Sequence, residues 1–287
     1  MFHQNNLLKL KYKCTTYLVL RDLFPDWALD LGILKKGFVY RILKLIEHNQ
    51  YKVADRIGVQ SPGNIELMSG GDRIKSKCEV LWNWLSKDSD ISKKSSIRVN
   101  ETHLNGRNIF VYAGNMGVAQ NVDILINLAE NLQYREDVGF IFVGRGNRVK
   151  DLRTITNERK LNNVIFFDEI DPSEIPDLYS QCHVGLVALD PRHKTHNIPG
   201  KFLSYMKAGL PVLASINPGN DLIDLIESYK VGYVSSESSP KHLYDKATLL
   251  LEEICQKKEY STRCSSILEE LFSTNVAARQ IISVLRN

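Results

Sequence analysis

From Ile109 onward the chain keeps one rhythm, and that rhythm constrains its fold more than any other feature. Short apolar runs at Ile109–Tyr112, Gly139–Val143, Val164–Phe167, Val184–Leu189 and Pro211–Ser215 read as strands. The segments between them, Asn121–Leu132, Val149–Arg159, Ser173–Ser180 and Lys201–Ala208, carry apolar residues at helical spacing. Strands that are apolar on both faces belong in a parallel sheet covered above and below by helices. The pattern continues through a helix at Asp221–Ser228, a strand at Gly232–Ser235, and helices at His242–Gln256, Tyr260–Glu270 and Ser273–Leu285. No internal repeat of fixed period interrupts it.

The front of the chain is a shorter version of the same pattern. YLVL at Tyr17–Leu20 reads as a buried strand, ADRIGVQSPGNIELM as a strand, turn and helix, and CEVLWNWL as a further strand. Between them, Gly37–Glu47 forms a helix with Phe38, Ile42, Leu45 and Ile46 on one arc and Tyr40, Arg41 and Lys44 on the other. Such a helix either packs on a domain surface or lies against anionic headgroups. The polar run Ser86–Asn108 reads as a linker, dividing an N-terminal domain, residues 1–100, from a C-terminal one, residues 101–287, whose last helix has the length to cross back.

Composition narrows the function classes. A 287-residue chain with 43% hydrophobic and 24% charged residues supports two globular domains. A net charge of +4 without a block of like charges argues against a nucleic-acid binder. The five cysteines are scattered without a C-x-x-C pair, so neither a disulfide framework nor a zinc site is expected. The start MFHQNNLLKLKYKC lacks a signal-peptide core and no run is long enough to span a membrane, which together point to the cytoplasm.

In an open parallel sheet the ligand lies beyond the carboxyl ends of the strands, which makes the turns there the candidate site. FVYAGNMGVAQN places Gly114, Asn115 and Gly117 between a strand and a helix, either as a tight connection or as a backbone cradle for phosphate. It lacks the third glycine of a dinucleotide fingerprint, which disfavours hydride transfer. FIFVGRGN sets Arg145 between two glycines, where a guanidinium is either solvated or within reach of a diphosphate. HNIPGKFLSYMKAGLPVLAS begins a helix with Pro199, Gly200 and Lys201, and Ser204 shares the face of Lys201. A lysine at a helix N-terminus opposes the dipole, which favours an anion there. The preceding loop DPRHKTHN, with Arg192, His193, Lys194 and His196, reads as a solvated connection, and Asn220-Asp221 as a cap for the next helix.

Taken in order, FVYAGNMG, FIFVGRG, VIFFDEI with LYSQCHVGLVAL, PGKFLSYMKAGLPVLA and VGYVSS resemble the donor domain of family-4 glycosyltransferases over about residues 107–287. RDLFPDWALDLGIL, the SPGN turn and VLWNWLS are similar to the second half of the acceptor domain in bacterial members that build O-antigen, capsule or exopolysaccharide, most of all L-fucosamine transferases. The resemblance implies an α/β GT-B fold of two Rossmann-like parallel-sheet domains, the N-terminal one incomplete. It implies a hexosyltransferase that moves a sugar, N-acetyl-L-fucosamine, from a UDP or other nucleotide-sugar donor to a lipid-linked saccharide, with retention and without metal or cofactor. Gly114, Asn115, Gly117, Arg145 and Glu169 would hold the donor, together with Asn197, Gly200, Lys201 and Ser204. The protein would work in the cytoplasm, with residues 35–47 touching the inner face of the membrane.

The chain departs from the family in two places. His196 and Ser204 stand where a Glu-x7-Glu pair is common, and Asn115 and Gln120 replace an arginine and a lysine of the first turn. Lys201 and Arg145 are then the expected source of positive charge. The family's histidine near the reacting carbon falls in the part read as missing, which leaves no catalytic residue assigned. A truncated, non-catalytic nucleotide-sugar-binding remnant and a GT-B sugar-nucleotide epimerase are the alternative readings.

Overall fold

The computed structural model describes residues 9, 11–86, 93–237, 239–254 and 257–286. Residues 87–92 of the expected linker, most of the N-terminal stretch read for a signal peptide, and Cys255 and Gln256 lie outside the described residues.

Two all-parallel sheets organise the chain. The first runs β1 (Tyr17–Leu20), β2 (Arg56–Val59) and β3 (Cys78–Val80) in sequential order, with α1 (Asp26–Asp30), α2 (Phe38–Val53), α3 (Pro62–Glu66) and α4 (Asp72–Lys75) among them. The second comprises β4 (Asn108–Ala113), β5 (Val138–Val143), β6 (Val164–Phe167), β7 (Val184–Ala188), β8 (Val212–Ser215) and β9 (Gly232–Ser235). Its order is β6-β5-β4-β7-β8-β9, the doubly wound arrangement in which the winding reverses between β4 and β7. Its helices are α5 (Asp123–Asn131), α6 (Val149–Glu158), α7 (Ile175–Ser180), α8 (Gly200–Ala208), α9 (Leu222–Tyr229), α10 (Pro240–Glu253), α11 (Lys257–Leu271) and α12 (Thr274–Leu285).

Alternate residues of β4 feed two separate cores. Ile109, Val111 and Ala113 pack with α7, α8, α9 and α11, while Phe110 and Tyr112 pack with α5, α6 and α10. The run expected as a linker contributes to the first of these: Ile97, Val99 and Leu104 are buried. They stand singly among polar residues, without the periodicity that would reveal an element. At the other end Gln280 of α12 donates to Glu79 and to the Val80 carbonyl of the first sheet.

The amphipathic helix α2 is oriented opposite to the ordinary surface helix. Tyr40 and Lys44 on its polar arc bond Asp26, and Tyr51 bonds Glu47, so these side chains face the domain. Phe38, Val39, Ile42 and Leu45 are exposed, Phe38 to 79%. No helix among the described residues is long and apolar enough to cross a membrane.

At the β4–β7 junction the sheet is paired only at Phe110↔Val184 and Val111↔Gly185. The ring of Tyr205 fills the space a side chain at Gly185 would need, and its hydroxyl lies 3.0 Å from the Val111 carbonyl and 3.2 Å from that of Leu186. Gly185→Ala is therefore expected to destabilise the fold by about 1–3 kcal/mol through overpacking, read as a lower urea midpoint at unchanged slope.

Candidate functional site

Beyond the carboxyl ends of β4, β5 and β6 lies a cleft of about 250 Å³ lined by Gly114, Gly144, Glu169, Ile170, Tyr179, Lys201 and Ser204, among others. It sits beside the reversal point of the sheet, where open α/β folds place ligands.

Lys201 dominates the chemistry. Although part of its stem reaches the surface, the ammonium is buried, has no hydrogen-bond partner, and lies 3.2 Å from the centroid of the Tyr112 ring. Burial pushes its pKa well below the ordinary 10.5, and no carboxylate offsets that loss of water. The aromatic face supplies a cation–π contact, worth about 2 kcal/mol when desolvated. Against the cost of an uncompensated buried charge that is a small return.

Gly114 is the lid over this group. It has φ +134°, which disfavours any side chain, and Lys201 Cε and Nζ lie 3.6 Å from where a β-carbon would stand. The missing side chain leaves room for the end of Lys201 beside Gly114 in the wall of the cleft.

The other expected donor residues divide into two groups. Glu169 and Ser204 line the cleft with Gly114 and Lys201; Arg145 stands at the rim, 78% exposed, its Nη1 3.3 Å from Glu169 Oε2. Gly200 is exposed with open space around it, as a helix start facing a ligand requires. Asn115, Gly117 and Asn197 do not line the cleft. Asn115 Nδ2 and Gly117 N–H instead donate to Gln120 Oε1, both at 3.0 Å, closing their turn upon itself.

The loop from Asp190 to Asn197 is not the solvated connection its composition suggests. His193 and Thr195 are buried, Arg192 forks onto both oxygens of Asp190 at 2.9 and 2.8 Å, and Lys194 pairs with Asp30 of the first domain at 3.1 Å. The SPGN turn then clasps His196. Ser61 Oγ and Asn64 Nδ2 donate to its carbonyl, Asn64 Oδ1 accepts from its N–H, and its ring occupies the space above Gly63. His196 Nδ1 approaches Asp221 Oδ2 to 3.1 Å, though off the axis of a hydrogen bond. Asp221 accepts from the Gly63 N–H and leaves Asn220 to bond Leu222 N–H at the start of α9, so only half of the expected cap is a cap. Sequence reasoning missed Gln60, Ser61, Gly63 and Asn64 because their partners are more than 130 residues away. The described residues contain no group of three or more His, Cys, Asp or Glu side chains placed to hold a metal ion.

The family model for glycosyl transferases group 1 matches residues 93–266, well over half of the chain. The chain belongs to that family. Among relatives, "Probable glycosyltransferase WbjE" of Pseudomonas aeruginosa is 23% identical over 274 residues, covering 94% of this chain and 67% of that protein. HepE of Anabaena in complex with UDP and glucose superposes with a TM-score of 0.76 at 16% identity, covering 100% of this chain and 75% of HepE. WaaG, a glycosyltransferase involved in lipopolysaccharide biosynthesis, superposes with a TM-score of 0.64 at 17% identity, covering 98% of this chain and 80% of WaaG. The fold is thus the GT-B arrangement of parallel-sheet domains.

In this group 1 glycosyltransferase the buried amine has a measurable signature. Its folded pKa lies below the unfolded 10.5, so folding expels a proton at any pH between the two. Stability is then highest near the upper limit and falls by about 1.4 kcal/mol per unit as pH drops, until the amine protonates within the fold. Lys201→Met removes this slope. Urea titrations at decreasing pH from about pH 10 are expected to show the variant gaining on the wild type as pH falls, and the gain levelling off once the folded amine takes up its proton.

Proposed function

We propose that this glycosyltransferase moves a sugar, N-acetyl-L-fucosamine, from a UDP donor to a lipid-linked saccharide in the synthesis of a surface polysaccharide such as O-antigen. The observation that carries the donor half of this reading is the unpartnered Lys201 ammonium beneath Gly114. A site that keeps an amine desolvated and unpaired is suited to an anion that arrives from outside and restores its proton. In sugar transfer, the bond from the anomeric carbon to the diphosphate breaks and negative charge builds on the departing phosphate. On this reading Lys201 and the N–H groups at the start of α8 would face that charge, and the first turn of α8 holds no acidic residue to compete. Support for a UDP donor comes from HepE, which has been crystallised with UDP, with UDP and glucose, and with UDP-glucose. The reading is also supported by WaaG, a glycosyltransferase involved in lipopolysaccharide biosynthesis, and by a TarM variant crystallised with Fondaparinux, alpha-GlcNAc-glycerol and UDP, both of which share the fold. Retention of configuration and catalysis without a metal complete the proposal.

Donor binding should recharge Lys201. Calorimetry with UDP in buffers of different ionisation enthalpy is expected to show proton uptake, and Lys201→Ala to weaken UDP at least about tenfold while abolishing the uptake. Unchanged affinity in the variant, or no binding of UDP-, GDP- or dTDP-sugars to the wild type, would overturn the donor site.

The exposed arc of α2 supports the acceptor half. Phe38, Val39, Ile42 and Leu45, flanked by exposed Lys35, Lys36 and Arg41, suit an anionic bilayer surface on the cytoplasmic side, where a lipid-linked acceptor would be met. The wild type is expected to float with phosphatidylglycerol vesicles, and the double variant Phe38→Asp, Ile42→Asp to remain at the bottom of the gradient. Equal flotation of both proteins would remove the membrane contact.

A further inference from the structure

At the outer edge of the second sheet a cavity of about 320 Å³ lies against β9, walled by the end of α9, by α10 and by α11. It shares no lining residue with the donor cleft. Three cations from three separate segments line it: Lys230 just after α9, Lys246 on α10 and Arg263 on α11. Among the described residues, none of these three side chains makes a hydrogen bond or an ion pair. Two of them alone would be an ordinary surface, since Lys230 is exposed and Lys246 is half-buried, 5.7 Å from the centroid of the Tyr233 ring.

Arg263 is different. Its Nε and Nη2 are buried without a partner, and its guanidinium carbon lies 4.3 Å from the centroid of the Tyr260 ring. The ring face attracts the charge but offers no lone pair to the N–H donors. The nearest acid is turned elsewhere: Glu253 Oε2 accepts from the Tyr260 hydroxyl at 2.6 Å and Oε1 from the Tyr233 hydroxyl at 2.8 Å. Those two bonds, and after them the charge of Arg263, hold its carboxyl below the ordinary range. The other carboxylate of the lining, Glu227, is exposed and pairs with none of the three cations. Folding therefore leaves charged donors without acceptors in the wall of a cavity, a loss that only an incoming acceptor recovers. A planar guanidinium fork matches two oxygens of a phosphate, and two flanking ammonium groups match its second negative charge.

We infer that this cavity binds a phosphate group, free or as the monoester of a small molecule, with Arg263 as its fork and Lys246 and Lys230 as flanking charges. The site stands apart from the donor cleft and does not depend on the donor reading.

Isothermal titration of the full chain with inorganic phosphate and, separately, with a hexose 6-phosphate distinguishes the free ion from the ester. At least one of the two is expected to bind the wild type with a Kd below about 1 mM. Arg263→Gln is expected to weaken that ligand about tenfold or more, Lys246→Gln about threefold, and Arg263→Lys less than Arg263→Gln, while binding persists in Lys201→Ala. Lys246 is only half-buried, so its variant decides the matter should Arg263→Gln fail to fold. The inference is overturned if neither ligand binds the wild type in that range, or if Arg263→Gln and Lys246→Gln both bind as the wild type does. Loss of binding in Lys201→Ala alone would overturn it too, by assigning the phosphate to the donor cleft.

Discussion

The insertion of Tyr205 against Gly185 fixes the geometry on which the candidate site depends. The sheet needs to open between β4 and β7 to leave a crevice, and an opened junction exposes strand carbonyls that have lost their partners. The Tyr205 hydroxyl reaches two of them, and its ring fits only because residue 185 has no side chain. This contact, with the buried Phe202, Leu203 and Met206, holds α8 across the junction. Lys201, four residues earlier, lies on the same face of the helix and is carried back to the end of β4, above Tyr112. The position of the amine is thus set by a core contact one helical turn away.

That dependence explains how an unpaired amine is held inside a folded protein. Its desolvation is opposed by the packing of Phe202, Leu203, Tyr205 and Met206, all buried on the same short helix. A solvated lysine would have to shed water and side-chain freedom when the diphosphate arrives, whereas this one has shed both during folding. On the proposed donor reading, stability given up in the empty protein would be recovered as electrostatic preorganisation in the loaded one.

How far the site was legible follows from the range of the interactions that make it. The alternation of strands and helices is local, and the second sheet follows the sequence pattern nearly residue for residue. Lys201 was also legible, because a cation at a helix start is a local anomaly; its burial over Tyr112 was not, since 89 residues separate the two in sequence. The moment of α2 was visible while its direction was not, because Asp26 and Glu47, which draw Tyr40 and Lys44 inward, carry no mark of that role in the pattern. The loop Asp190–Asn197 was misread for the same reason. Its charges suggest solvent, and only the fold brings Asp30 to pair with Lys194 and Ser61 and Asn64 to bond the backbone of His196.

The clasp on His196 gives the departure from the Glu-x7-Glu pattern a physical meaning. In place of an acidic side chain aimed at a ligand, this chain has an imidazole seated over Gly63, with its own backbone gripped by Asn64 and the adjoining Ile198 N–H donating to Gln60 Oε1. Two residues beyond Ile198, the helix that carries Lys201 begins. One of the segments that join the domains is therefore the segment that leads into the cleft. Any ligand that shifts the start of α8 works against the interdomain bonds, and any change in domain contact is felt at the amine. Coupling of that kind is reciprocal: whatever free energy the donor spends on domain contact, domain contact returns to donor affinity.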